Sequence, residues 1–295
     1  MQERPEEDWD ELEEEELTPE QHRSVIRQGS LLALCSIIFI SLCTVYMFRN
    51  QLLLACCEQG HTGLARVLIT CGADIKTCTK DGATPLHQAA LNNHSSTAEM
   101  LIRCGADINA RNSDGSTPLH WAAWDNHEQM ANTLIKYHAD VNAKDAQNRT
   151  PLIEAVEHDN PDIADILIEN KADINVQTQD GQTPIDWAVE KGHNKTAALL
   201  IRCGAAIDRR GKYDWTPLHL TAWNGNLELT RLLIRNNADV NALDEFGYTP
   251  LDKASTPEIK QLLIAAGAKT GKQMEQTHRK QSEKTESLQH HKAKK

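Results

Sequence analysis

Three histidines stand in matched settings. His87, His120 and His219 each lie three residues after a threonine and two after a proline. An imidazole so placed could move a proton or hold a metal ion. The intervening equivalents are Ile153, Asp186 and Asp252, so the positions make no coherent ligand set. A second recurring group is the carboxylates Asp74, Asp107, Asp140, Asp173 and Asp239. Carboxylates can do acid–base work, but these fall at one loop position of a repeating pattern, which accounts for them without chemistry. The eight cysteines (35, 43, 56, 57, 71, 78, 104 and 203) form no CxxC pair and no histidine cluster completes a zinc pattern. No glycine-rich phosphate loop, HExxH pair or nucleophile elbow occurs. The sequence therefore points to no enzyme, catalytic residue, cofactor or metal.

The elements that carry these residues recur. Thr-Pro stands at Thr84, Thr117, Thr150, Thr183, Thr216 and Thr249, and the tetrapeptides read TPLH, TPLH, TPLI, TPID, TPLH and TPLD. A second series runs in phase: CGADI at Cys71 and Cys104, HADVN at His138, KADIN at Lys171, CGAAI at Cys203 and NADVN at Asn237. Two phased motifs stepping by about 33 residues mark a stack of units, none of which buries its apolar face alone. The pattern resembles the ankyrin repeat from about Gln51 to Ala268. The resemblance implies an all-α solenoid of helix-turn-helix units with projecting turns, and a structural hydrogen-bonding role for the ladder histidines.

One unit shows the physics. Asp114-Gly115 makes a turn in which glycine takes positive φ. Thr117 caps the next helix and Pro118 opens it, where a missing N–H costs nothing. Leu119, Ala122 and Ala123 give an apolar face narrow enough for helices to approach closely. The second helix carries Ala131, Leu134 and Ile135. Asn148 and Asp214 replace the turn glycine elsewhere, and both residue types tolerate left-handed backbone. Cys71, Cys104 and Cys203 share one position and are read as small buried fillers, reduced in a cytosol-like compartment. The first unit lacks Thr-Pro, about six follow, and the last is shortened, with Pro257 restarting its second helix.

Outside the repeats, composition shifts. Residues 1–20 hold eleven acids and one arginine, and residues 1–30 read as an acidic, mostly disordered segment. Residues 31–48, LLALCSIIFISLCTVYMF, carry no charge and are apolar on all sides. A bilayer core needs about 20 such residues, so this stretch is expected to be a single transmembrane helix. The basic flanks do not set its orientation; the cysteine-rich repeats favour the cytosolic side. The alternative is a hydrophobic helix capping the solenoid of a cytoplasmic adaptor. From residue 269 onward, eight Lys/Arg against three Glu give a basic tail, read as disordered.

The formal net charge of −11 argues against nucleic-acid binding, which needs a basic face. The expected partner is another protein, with a membrane contact through residues 31–48. The ankyrin resemblance places docking on the turn tips and first helices. There the variable positions hold Trp124, Glu157, Tyr213, Trp215, Trp223, Phe246 and Tyr248. Aromatic residues are 4% of the chain, and tryptophan and tyrosine are common interface anchors. Trp121 and Trp187 are expected in the core. The expected function is a non-enzymatic, membrane-tethered interaction scaffold. The alternatives are the capped adaptor and a regulatory subunit or enzyme of unrecognised type.

Overall fold

The structure, a computed structural model, describes residues 48–277, 279 and 280. The acidic segment, the hydrophobic segment up to residue 47 and residues 281–295 lie outside the described residues. Among the described residues there is no strand, and no helix is long and apolar enough to cross a membrane.

The helices come in pairs. Residues 48–58 form α1 and Thr62–Thr70 form α2. Then follow α3 (Pro85–Leu91) with α4 (Ser95–Arg103), α5 (Pro118–Trp124) with α6 (Glu128–Lys136), and α7 (Pro151–Glu157) with α8 (Pro161–Glu169). The series continues with α9 (Pro184–Lys191) and α10 (Asn194–Arg202), α11 (Pro217–Asn224) and α12 (Leu227–Arg235), and α13 (Pro250–Lys253) and α14 (Pro257–Ala265). First helices pack against first helices, second against second, in two parallel rows. Each first helix from α3 to α13 starts with the ladder proline, and its threonine is the N-cap.

The core is one residue set repeated. Leu86, Leu119, Leu152, Ile185 and Leu218 are buried in the first helices. Leu68, Leu101, Leu134, Leu167, Leu200 and Leu233 are buried in the second. Each such side chain contributes about 1.5–3 kcal/mol by leaving water. Alanines 89, 90, 122 and 123 are fully buried, which lets the first helices close up. The apolar interior divides into two clusters: one runs from Leu53 to Leu200 and Leu229, the other holds Leu218, Leu233, Leu251 and Leu263.

The projecting turns lean on one another. Ser113 N–H donates to the Asp81 carbonyl (2.9 Å), Ala146 to Asp114 (2.8 Å), Gln179 to Gln147 (3.0 Å) and Glu245 to Tyr213 (3.2 Å). At Gly115, with φ 78°, an added Cβ would meet the Ala146 nitrogen at 3.0 Å, so the close approach itself calls for glycine. Asn148 and Asp214 take φ 59° and 58°, as their residue types suggest. Tyr213 also turns left-handed, φ 61°, which nothing in its chemistry foretells. The turn also differs two residues earlier: where other turns are braced by the Asn112, Asp145 or Asp244 side chains, this one has Gly211, which has no side chain to brace it.

The loop carboxylates are structural. Asp107, Asp140, Asp173 and Asp239 each accept the N–H two residues on, at 2.9–3.0 Å. The residue so held reaches the next unit. Asn109 accepts from Asp140 N–H, Asn142 from Asp173, Asn175 from Ala206 and Asn241 from Lys269, all at 2.7–2.9 Å.

Two expectations need correction. Cys71 and Cys104 are exposed and Cys203 is half-buried, because all three occupy the C-cap just past a second helix, where the chain turns outward. The residues after 269 are also not all irregular: 271–277 form α15. Its start is anchored, since Gly271 N–H donates to Asp252 Oδ2 (2.7 Å) and Thr249 Oγ1 to the Lys269 carbonyl (2.7 Å). A Cβ at Gly271 would overlap the carbonyl oxygen of Gly247.

Candidate protein-docking face

The ladder histidines are spent on the fold. Thr84, Thr117 and Thr216 each donate a backbone N–H to the histidine Nδ1 at 3.1–3.2 Å. The far nitrogen, Nε2, then carries the proton and donates across the joint. His87 bonds the Ser116 carbonyl (3.0 Å), His120 that of Arg149 (3.1 Å) and His219 that of Tyr248 (3.2 Å). Burial pushes His120 down to about 4 and lowers His87 and His219 as well, so all three are neutral near pH 7. Asp186 and Asp252 keep the cap on Thr183 and Thr249; Asp186 makes no bond to the next unit's turn carbonyl, and Asp252 instead accepts from Gly271 N–H. Ile153 does neither, and the Thr150 hydroxyl is buried without a protein partner.

A second histidine series escaped the sequence reading. His94, His127 and His193 precede second helices, and their Nε2 atoms bond the carbonyls of Glu58, Leu91 and Glu157 in the previous unit at 2.9–3.1 Å. The signal was present, since these residues recur in the same phase as the Thr-Pro ladder. Among the described residues no His/Cys/Asp/Glu group could hold a metal ion.

The expected docking residues separate into two groups. Trp124 is half exposed at the end of α5 and stacks on His158, with centroids 4.5 Å apart. It lines a cavity of about 340 Å³ with Leu91, Trp121 and Arg149. Beside it Arg149 meets three carboxylates: Asp145 at 2.9 Å, Glu154 at 3.1 Å and Glu157 at 3.6 Å. Glu157 also faces Lys191, at 3.8 Å. Burial pushes Glu154 up to about 7 against the pull of Arg149, and its Oε2 has no partner. A carboxyl so raised favours folding below about pH 4.5 and loses that contribution as pH rises through 7. Glu154→Gln is thus expected to be more stable than wild type at pH 8, by on the order of 1–3 kcal/mol, with the gain vanishing towards pH 5. Urea melts at both pH values measure it; a gain independent of pH would contradict the assignment.

The second group gathers around α11. Trp223 is 59% exposed and Phe246 65%, while Tyr213 and Tyr248 are half exposed. Trp215, expected at an open turn tip, is half-buried. Its Nε1 donates to Asp244 Oδ2 (3.2 Å), Lys253 Nζ lies 5.3 Å from its ring centroid, and Trp223 tilts against it at 5.9 Å. Tyr213 and Phe246 rings lie 6.4 Å apart. Trp121 and Trp187 are half-buried. Trp187 packs on the core, and Trp121 sets its ring edge-on to His87.

Comparison with protein families matches residues 52–145 and 137–211 to ankyrin repeats (3 copies), and residues 200–254 to ankyrin repeats (many copies). The chain belongs to the ankyrin repeat family. Ankyrin repeats bind other proteins, so residues 52–254 are a protein-interaction module. No curated protein matches the chain.

Proposed function

We propose that the chain is a non-enzymatic scaffold that docks another protein on its aromatic face and is tethered to a membrane by residues 31–48, with the repeats on the cytosolic side. The observation that carries the docking reading is register. Trp124 and Trp223 occupy one position three units apart, and both stay half or more exposed while neighbouring apolar residues are buried. Large exposed aromatics anchor interfaces because they exchange much area for little conformational entropy. The tether rests on eighteen consecutive uncharged residues, and the cysteine-rich repeats fit a reducing compartment.

The test is quantitative capture by the full chain from lysate of its own source cells, against the Trp124→Ala/Trp223→Ala double variant. Partner recovery should drop at least tenfold with an unchanged melting curve; equal recovery would overturn the docking face. In the same preparation, membrane association should survive carbonate and weaken in Ile38→Arg, a mid-span charge costing about 2.5–3.5 kcal/mol. Complete carbonate extraction of wild type would overturn the tether.

A further inference from the structure

The second aromatic group borders a groove of about 820 Å³ between α9 and α11, lined among others by Asp180, Asp186, Glu190, Tyr213, Trp215 and Trp223. We infer that this groove binds a cationic side chain, arginine or lysine, presented by an extended segment of a partner protein. The inference rests on the docking reading above and names the chemistry of what docks.

Three observations carry it. The first is sign. The groove sets acidic residues on α9 and its leading turn against aromatic rings on α11 and its turn. Asp180 and Glu190 are exposed, and Glu190 is oriented by the Gln182 amide (2.7 Å). Asp186 is buried, and its Oδ2 is occupied by Thr183. Arg209 exerts an opposing pull on Asp186, so Asp180 and Glu190 are the carboxylates that meet a ligand. The second is the rings. A cation gains from an aromatic face, most from tryptophan, and more as water is excluded. Trp223 offers its surface at 59% exposure, and Trp215 is held in place by Asp244, Lys253 and the stacked His219 ring.

The third observation is internal precedent. Lys253 Nζ sits 4.2 Å from the Tyr248 centroid and 5.3 Å from that of Trp215, with Asp244 Oδ2 at 3.0 Å. Lys191 repeats the arrangement over Trp187, at 5.6 Å, with Glu157 at 3.8 Å. This chain thus builds carboxylate-and-ring boxes for its own ammonium groups. The groove presents the same set of groups, and the overall charge of −11 draws basic segments towards it.

The test uses the full chain and the peptide Ac-GSRGSRGS-NH2, read by tryptophan fluorescence at physiological salt. Its twin carries citrulline, which keeps the length and planar shape of arginine but replaces one NH2 donor with a carbonyl oxygen and removes the charge. Wild type should bind the arginine peptide saturably and at least tenfold more tightly than the citrulline peptide. Trp223→Ala and Glu190→Gln should each weaken it at least fivefold, with Val67→Ala, an exposed change on α2, binding as wild type does. Equal affinity for the two peptides overturns the inference. So does Trp223→Ala binding like wild type, which would mean general charge attraction. Binding that appears only after deletion of residues 281–295 would make the chain's own tail the occupant and overturn the assignment to a partner. If the double tryptophan variant loses its captured partner while the arginine peptide shows no preference, the docking face stands and the cationic assignment fails. If both fail, both readings fall.

Discussion

Replacing Leu218 with alanine is expected to destabilise the repeat stack by about 2–5 kcal/mol, the usual result of opening a cavity that its surroundings only partly fill. Leu218 is fully buried in the smaller apolar cluster, among Ala222, Leu233 and Leu251, on a helix held between α9 and α13. The informative contrast is with two tryptophans close by. Trp223→Ala should change stability by no more than about 0.5 kcal/mol, as for surface sites generally. Trp215→Ala should fall between, at about 1–2 kcal/mol, because it strips a donor from the buried Asp244 carboxylate and a ring from Lys253. Denaturant melts of the three variants check the order Leu218, Trp215, Trp223. Trp223→Ala melting as badly as Leu218→Ala would make Trp223 a packing residue and remove it from the docking face.

The second large effect is with pH. The native state holds His120 neutral with a pKa of about 4, whereas an unfolded histidine titrates near 6.5. As pH falls below 6.5 the unfolded chain takes up a proton that the folded chain refuses, so stability declines until pH 4 and then levels off. The full loss from this one residue is about 3 kcal/mol. His87 and His219 act in the same direction. Glu154 acts in the opposite one, so the clean quantity is the stability difference between wild type and His120→Gln. That difference should shrink by about 2–3 kcal/mol between pH 7.5 and 4.5. Asp244 does not interfere. Although burial opposes it, the Tyr248 N–H and Lys253 hold its carboxyl below the usual range, so it titrates at still lower pH. A difference constant across this interval would mean that the imidazole protonates as easily in the fold as outside it.

Much of this was legible in the sequence for a simple reason. A motif that recurs six times states its own structure: Thr for the cap, Pro for the first turn, Ala pairs for close approach. The place of Asn148 and Asp214 in left-handed turns followed from residue chemistry alone. Part of what escaped depends on neighbours in another unit, and part on local cap geometry. The environment of Trp215 is set by Asp244 and Lys253 of the following unit, so a turn-tip position looks open in one repeat and is half-closed in the stack. The exposure of Cys71 and Cys104 follows from cap geometry, which hydrophobicity does not register. Helix α15 has a polar sequence, and its start is ordered by Asp252, a residue already engaged as the cap partner of Thr249. The two tryptophan groups likewise line separate cavities, although their sequence positions are equivalent.

The histidine ties are unevenly spread along the solenoid. They cross from α3 to the Ser116 carbonyl, from α5 to that of Arg149 and from α11 to that of Tyr248. Ile153 and Asp186 leave the joints on either side of the α9–α10 layer without a tie from the first helix, although His193 still bonds the Glu157 carbonyl across the first of them. A joint fastened by a buried imidazole cannot change its angle without stripping a carbonyl of its donor, a penalty of about 1–3 kcal/mol. A joint fastened mainly by apolar packing can slide at much lower cost. Compliance is therefore expected chiefly at the joint between α9 and α11, since the joint between α7 and α9 keeps the His193 bond. The acidic groove between α9 and α11 spans this joint, so curvature there can adjust to an occupant while the flanking layers keep their shape.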